Sequence, residues 1–135
     1  MTPLVIAFTP NYFVPAAVTL RSMLDSSASG FHVICLVSED IPERMQEKLF
    51  SMGGGRLEFD YINLGGRLKE VYTDPRYSEA ASFRLLLPEL LPELDKVLYV
   101  DCDVIIRQDV SRLYIETDLG DNYLGVVFEA PIENQ

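Results

Sequence analysis

The chain has 135 residues, of which 48% are apolar and 24% charged. This balance suits a compact domain with a substantial core and excludes a disordered or fibrous chain. The formal net charge of −10 opposes an anionic phosphate backbone, so we expect no nucleic-acid partner. The apolar runs are far shorter than the roughly 20 residues of a membrane span, and no leader-like segment precedes the first apolar run, so we expect a cytoplasmic location.

The first half of the chain alternates predicted strands and helices. Three segments have the apolar or alternating character of strands: residues 4–8, 31–37 and 56–62. Two segments between them have helical patterns: residues 11–24 and 41–52. In the first helix the apolar positions are Val14, Ala17, Val18, Leu20, Met23 and Leu24. This β-α-β-α-β order predicts a Rossmann-like α/β fold, with a mainly parallel sheet and helices on both of its faces.

The second half is less regular. Residues 63–80 are polar and rich in turn-forming residues, which predicts a loop over a site. Residues 79–87 are predicted to be helical, residues 96–100 (KVLYV) form the fourth predicted strand, and residues 123–128 (YLGVVF) resemble another. Because no internal repeat or linker interrupts the sequence, residues 1–135 are predicted to form a single domain.

An acidic pair follows the fourth predicted strand. Successive strand residues face opposite ways, so Asp101 and Asp103 would share a face about 7 Å apart while Cys102 points away. Ligands of parallel α/β sheets bind at the carboxyl ends of the strands, where residues 9–12 are also expected. Since Mn²⁺ and Mg²⁺ prefer carboxylate, phosphate and water oxygens, the pair predicts a metal site. A simpler interpretation makes Asp101 a turn or cap residue and Asp103 a solvated loop residue.

Three segments of the chain carry a family resemblance. They are residues 6–24 (IAFTPNYFVPAAVTLRSML), residues 82–114 (SFRLLLPELLPELDKVLYVDCDVIIRQDVSRLY) and residues 117–127 (TDLGDNYLGVV). These segments resemble the first βα unit, the central signature and the following segment of glycosyltransferase family 8, retaining enzymes with a GT-A fold. The resemblance implies a GT-A nucleotide-diphospho-sugar transferase fold. Because the chain stops at Gln135, we expect that fold's carboxyl-terminal part, with the histidine that completes the family's metal site, to be missing.

The resemblance also implies a reaction. A hexose would pass from a UDP-sugar to a saccharide acceptor such as lipopolysaccharide or another surface glycan, with Mn²⁺ (or Mg²⁺) bound by Asp101 and Asp103. The metal would offset the charge that grows on the departing UDP. Peripheral membrane association of the full enzyme is implied as well. Self-association of this chain is expected where the missing segment would pack.

Specific roles follow from the same resemblance. Asn11 and Tyr12 match positions that hold uridine, by amide hydrogen bonds and ring stacking. Arg84 matches an arginine that reaches the donor's diphosphate or sugar, and it is implied to be catalytic together with Asp101. The implied donor-binding positions are Ala7, Thr9, Asn11, Tyr12, Arg84, Asp101 and Cys102.

The chain departs from the family's pattern at two positions. Thr9 stands where the family commonly has an aspartate that accepts a hydrogen bond from the uracil ring; a hydroxyl also accepts, but without the charge. Glu129 stands where an aspartate near the acceptor is usual. The sole histidine, His32, opens the second predicted strand and is interpreted as a strand residue.

Other interpretations stay open at the level of sequence. A non-catalytic nucleotide-binding or interaction fragment would also lack the acceptor half. A phosphatase of the haloacid-dehalogenase type would use the first aspartate of D-x-D as nucleophile, but the short stretch after Asp103 holds no lysine. Arg84 would have a surface role if it paired with Glu79 or Glu89, and Tyr12 would be structural if it lay in the core.

Overall fold

The structure, a computed structural model, describes residues 1–68 and 79–127. In these ranges the strands are β1 (Thr2–Phe8), β2 (Phe31–Val37), β3 (Leu57–Asn63) and β4 (Leu98–Asp101). The α-helices are α1 (Phe13–Ser26), α2 (Glu43–Gly53), α3 (Leu87–Leu90) and α4 (Val110–Glu116). Two 3₁₀ helices span Pro10–Tyr12 and Glu79–Leu86. None of the helices in these ranges has both the length and the apolar character needed to cross a bilayer.

The four strands form one parallel sheet in the order β3-β2-β1-β4. The chain runs outward from β1 through β2 to β3, and then returns to place β4 on the other side of β1. The predicted parallel sheet is therefore confirmed. Its strand order reverses between β1 and β4, which is the place where sheets of this kind bind ligands at the carboxyl ends of their strands.

Alternating residues of β1 build two cores on opposite faces of the sheet. Leu4, Ile6 and Phe8 pack with α1 and with one face of β2. Val5 and Ala7 pack on the other face with the 3₁₀ helix Glu79–Leu86, whose Phe83 is fully buried. A strand that is apolar at every position is covered on both faces, as the sequence predicted.

The buried face of α1 differs from the predicted one. Leu20, Met23 and Leu24 are buried as expected, but Val14 and Val18 are exposed. Phe13, Ala16 and Thr19 complete the buried face instead, at the helical spacing set by Leu20, Met23 and Leu24. A threonine thus lies on the core side of the helix.

One predicted element is refined and another is corrected. Residues 79–86 are helical as predicted, with 3₁₀ geometry, and α3 begins only at Leu87. Pro88 has no N–H to donate to the carbonyl of residue 84, so an α-helical hydrogen-bond pattern cannot run continuously through this stretch. The strand predicted at 123–128 is absent from residues 123–127. Their side chains are exposed, and in the described part of the chain this segment does not pair with any strand of the sheet. Of the predicted loop at 63–80, residues 69–78 lie outside the described residues, as does Phe128 of the predicted strand.

Candidate functional site

The candidate site lies where β1 and β4 end side by side. Ala7 is the register partner of Asp101 in the parallel pair. Two segments leave this edge of the sheet: the 3₁₀ turn Pro10–Tyr12 that follows β1, and the turn after β4 that contains Asp103. Both predicted ligand-binding stretches are therefore brought to one edge, at the reversal of strand order.

The stretch after β1 forms a short, locally closed turn. The Tyr12 backbone N–H donates to the Thr9 carbonyl oxygen over 2.8 Å, and Pro10 supplies a fixed φ in the first turn. Thr9 is half-buried, whereas Asn11 and Tyr12 are exposed, with 48% of Tyr12 accessible. Tyr12 is thus not a core aromatic, and its ring is free to meet a planar ligand.

Arg84 reaches across from the 3₁₀ helix to the end of β4. Its Nη2 donates to Asp101 Oδ1 over 3.3 Å, and its Nε donates to the Ala81 carbonyl oxygen over 2.9 Å. The guanidinium carbon lies 4.7 Å from the centroid of the Tyr99 ring. Arg84 therefore joins the predicted acidic site, and within the described ranges it pairs with the Asp101 carboxylate rather than with Glu79 or Glu89.

Tyr99 is a further site residue, which neither the acidic pair nor the family resemblance points to. Its position two residues before Asp101 places both side chains on the same face of β4. Burial raises the pKa of the Tyr99 hydroxyl to about 12, against the opposing effect of the Arg84 charge. The phenol therefore stays neutral at ordinary pH and gives the guanidinium an uncharged aromatic surface. Strand alternation alone would have identified it.

The two acidic residues differ in local structure. Asp101 is the last residue of β4, and Asp103 lies in the turn that follows. Both are exposed, whereas Cys102 is half-buried against the core on the α1 face. Burial and the nearby Asp103 charge raise the pKa of the Cys102 thiol, which is therefore neutral. The Cys102 side chain packs on the α1 face of the sheet, whereas strand alternation puts Asp101 on the other face.

The donor set fits a hard cation that shares its ligands with a substrate. Within residues 1–68 and 79–127, no group of three or more His, Cys, Asp or Glu side chains is arranged to hold a metal. Two exposed carboxylates suit Mg²⁺ or Mn²⁺, which commonly bind one or two protein carboxylates together with substrate phosphates and water. Asp101 and Asp103 would hold such an ion only in company with these other oxygens.

His32 lies away from this edge of the sheet. His32 is near the amino end of β2, where its Nε2 is 2.7 Å from Asp60 Oδ2 on the neighbouring strand. This geometry agrees with its interpretation as a strand residue. Glu129 lies outside the described residues.

Comparison with known proteins shows which family and which relatives this chain resembles. The model of the family "Glycosyl transferase family 8" matches residues 3–135. Glycosyltransferase GlyE of Streptococcus pneumoniae serotype 4 (strain ATCC BAA-334 / TIGR4) is 33% identical over 95 residues, which is 67% of this chain and 23% of GlyE. Probable galacturonosyltransferase 10 of Arabidopsis thaliana is 36% identical over 70 residues, which is 51% of this chain and 13% of that protein.

Solved structures of glycosyltransferases have a fold similar to that of this chain. A crystal structure of an active-site mutant of LgtC superposes with a TM-score of 0.79 at 28% identity, covering 95% of this chain and 46% of LgtC. The galactosyltransferase LgtC in complex with donor and acceptor sugar analogs gives a TM-score of 0.72 at 29% identity, covering 90% of this chain and 45% of that chain. The chain thus spans about half the length of LgtC and about a quarter of GlyE. The fold is that of the GT-A glycosyltransferases, and the chain belongs to glycosyltransferase family 8.

Proposed function

We propose that residues 1–135 form the nucleotide-sugar-binding part of a metal-dependent, retaining glycosyltransferase that moves a hexose from a UDP-sugar to a saccharide acceptor. The observation that carries this proposal is the contact of Arg84 with Asp101 at the edge where β1 and β4 end. The complex of LgtC with donor and acceptor sugar analogs supports the proposal of a nucleotide-sugar donor and a saccharide acceptor.

The turn after β1 would bind the nucleoside. Asn11 and Tyr12 are exposed there, so an amide is available to hydrogen-bond a base and a phenol ring to stack on it. Thr9 begins the turn, and its hydroxyl would accept a hydrogen bond from the uracil ring without adding a charge. Ala7 is directly beside Asp101 in the sheet, so it would lie next to a donor bound at the strand ends.

Arg84 and the acidic pair would bind the diphosphate. A metal ion held by Asp101 and Asp103 would supply Lewis-acid stabilisation of the negative charge on the leaving UDP. Arg84 would offset the same charge with a planar, permanently cationic group. In its present position Arg84 is paired with Asp101, so it is already held at the edge where phosphate oxygens would arrive.

The transfer step breaks the bond between the sugar's anomeric carbon and the β-phosphate oxygen, and UDP leaves with that bonding pair. The anomeric carbon forms a new bond to an acceptor hydroxyl oxygen, whose proton passes to the departing UDP. Arg84 and Asp101 act at the leaving-group side of this exchange. Retention of the anomeric configuration is proposed from the family alone.

For the acceptor, we propose lipopolysaccharide or another surface glycan, used by a cytoplasmic enzyme that associates peripherally with the membrane. The support is the resemblance of residues 82–114 and of the first βα unit to the family's enzymes. Assays of transfer from UDP-galactose and UDP-glucose to lipopolysaccharide and to simple saccharides test this choice. Transfer to none of these acceptors would contradict it.

The proposal is tested by isothermal titration of the protein with UDP in the presence and absence of Mn²⁺. We expect UDP binding that Mn²⁺ strengthens, and a loss of that strengthening in Asp103→Ala. Asp95→Ala is the matched control, because it removes the same charge from an exposed position before the amino end of β4. A protein that binds no UDP, or an Asp103→Ala variant that responds to Mn²⁺ like the wild type, would contradict the proposal.

A second candidate is a nucleotide-binding chain without transferase activity. It is favoured by the share of LgtC that this chain covers, 46%. Sugar transfer, or hydrolysis of a UDP-sugar that Asp101→Asn abolishes, would exclude this candidate. Binding of UDP and Mn²⁺ without turnover would support it.

A further inference from the structure

Three hydroxyl groups on one face of α1 hold the segment that follows β4. Thr19, Ser22 and Ser26 have the spacing i, i+3, i+7, which aligns them along one side of the helix. All three bond to the backbone of residues 102–106, more than 75 positions away in the sequence. We refer to these three side chains as the hydroxyl ladder.

The bonds of the ladder cover the segment from end to end. Thr19 Oγ1 donates to the carbonyl oxygens of Cys102 (3.0 Å) and Val104 (2.8 Å), sharing its one proton between them. Ser22 Oγ accepts from the Ile106 N–H over 2.9 Å, and Ser26 Oγ donates to the Ile106 carbonyl oxygen over 2.8 Å. Asp103 therefore lies between two anchored carbonyls.

The segment needs such partners because it has no regular secondary structure of its own. β4 ends at Asp101, and α4 begins only at Val110. Backbone N–H and C=O groups near a core destabilise the fold when they have no hydrogen-bond partner. The ladder supplies such partners where strand pairing has ended. Thr19 is 1% exposed, so water does not compete for its hydroxyl.

Apolar packing holds the far end of the segment in the same place. Ile106 is 9% exposed and belongs to the core on the α1 face, where Cys102 also packs. Val104 and Ile105 are exposed, so they add little to this anchoring. The position of the Asp103 backbone is therefore set by Ile106 on one side, by β4 on the other, and by Thr19 between them.

We infer that the hydroxyl ladder, and Thr19 above all, positions the Asp103 turn for metal binding. The inference rests on the proposed function, in which Asp101 and Asp103 share a cation with the donor's phosphates. Asp101 is fixed by its pairing in the sheet, but Asp103 is not, so the geometry of the pair depends on whatever holds the turn. Thr19 contacts neither metal nor donor and acts as a positioning residue.

The test compares two substitutions at the same site. Thr19→Val keeps the shape of the side chain and removes the hydroxyl, whereas Thr19→Ser keeps the hydroxyl and removes a methyl group. The affinity for Mn²⁺ is measured with saturating UDP, from the electron paramagnetic resonance signal of the free ion. We expect Thr19→Val to weaken Mn²⁺ binding by roughly five- to tenfold, about the effect of one lost hydrogen bond, and Thr19→Ser to stay within about twofold of the wild type.

Two further variants separate positioning from general stability. Met23→Leu perturbs the same buried face of α1 without removing a ladder hydroxyl, and it should leave the Mn²⁺ affinity unchanged. Ser22→Ala removes the partner of the Ile106 N–H, and it should weaken Mn²⁺ binding and speed amide hydrogen exchange at Ile106. Ser22→Ala also keeps the inference testable if Thr19→Val does not fold.

The outcomes distinguish this inference from the proposed function. If the wild type binds Mn²⁺ with UDP and the Thr19→Val and Ser22→Ala variants bind it equally well, the role of the ladder is overturned and the proposed function stands. If Met23→Leu loses as much affinity as Thr19→Val, the effect is one of stability and the inference is also overturned. If the wild type itself binds no Mn²⁺, the proposed function fails and the inference falls with it.

Discussion

Replacing Arg84 by glutamine should impair donor binding far more than folding. The side chain makes three contacts that hold it at the strand edge: an ion pair with Asp101, a hydrogen bond to the Ala81 carbonyl and a cation–π contact with Tyr99. Glutamine removes the charge and the forked geometry and keeps a polar side chain of similar reach. The expected consequences for stability and for binding differ in size, which makes the variant informative.

The cost to folding should be small because the site is open to water. The Arg84 and Asp101 side chains are 44% and 52% exposed, and ion pairs at such positions stabilise by about 0.2–1 kcal/mol. An exposed cation–π contact adds about 0.5–1 kcal/mol. Since these contributions overlap, their effects do not add in full, and we expect Arg84→Gln to lower the free energy of unfolding by about 1 kcal/mol or less, as measured by urea denaturation.

The cost to binding should be larger because charge-assisted hydrogen bonds to phosphate would be lost. Such bonds contribute about 1.5–3 kcal/mol each, which corresponds to roughly 10- to 150-fold weaker binding in the presence of Mn²⁺. Titration with UDP and with UDP-galactose locates the contact. A loss with both ligands indicates the diphosphate, and a loss with the sugar nucleotide alone indicates the sugar.

Arg67→Gln is the matched control. Arg67 donates to Glu89 Oε1 over 2.6 Å, and the two side chains are 51% and 67% exposed, so Arg67→Gln removes a similar surface ion pair that does not involve Asp101. Donor binding should be unchanged in this variant. The assignment of Arg84 would be refuted by an Arg84→Gln protein that binds both ligands like the wild type, or by an equal loss in Arg67→Gln.

Three further predictions concern other parts of the chain. Tyr12→Ala should weaken UDP binding by roughly tenfold without Mn²⁺, since base stacking on an aromatic ring contributes about 1–3 kcal/mol; equal affinities by titration would contradict a stacking role. Asp109 caps α4, and hydrogen bonds from Ser111 lower its pKa, so Asp109→Ala should cost about 1 kcal/mol near pH 7. A lowered pKa stabilises the fold only while the carboxylate is ionised, so the gap between Asp109→Ala and wild type in urea denaturation should shrink as the pH falls below about 3.8, and a pH-independent gap would count against it. Ile115 and Leu124 are 71% and 74% exposed, so sedimentation should show self-association that increases with concentration, and a strictly monomeric protein would contradict this expectation.

Much of the fold follows from sequence patterns because β1 and β2 are buried on both faces. Such strands are continuous apolar runs, and the residues that end them are prolines and polar turn formers, so their positions are readable from the chain. Residues 79–87 were harder to assign, because their apolar spacing fits α and 3₁₀ helices alike and only the position of Pro88 distinguishes them. The strand expected at 123–128 shows a different difficulty: apolar composition predicts a strand, but pairing requires a neighbour that the pattern does not specify.

The acidic pair and Arg84 were predicted from the motif, and the structure brings Arg84 and Asp101 together. Tyr99 and Thr19 were not identified. Tyr99 was recoverable from strand alternation, which puts it on the face of Asp101. Thr19 does not stand out in the sequence, because a threonine is not part of an apolar helical pattern. Including Phe13 and Ala16 shifts the buried face, and Thr19 then lies at its centre.

The hydroxyl ladder also predicts how the two halves of the site communicate. α1 begins directly after Tyr12, and the Thr19 side chain, two turns along, bonds to the segment that contains Asp103. If the bound uracil base makes the start of α1 more rigid, the Thr19 hydrogen bonds would make the Asp103 turn more rigid as well. Binding of UDP and of Mn²⁺ should then reinforce each other beyond their direct contact, and by the same factor in each direction. Removing the Thr19 hydroxyl should reduce that factor, measured as the ratio of UDP affinities with and without Mn²⁺. A ratio in Thr19→Val equal to that of the wild type would show that the metal and the nucleotide are coupled through their shared phosphates alone.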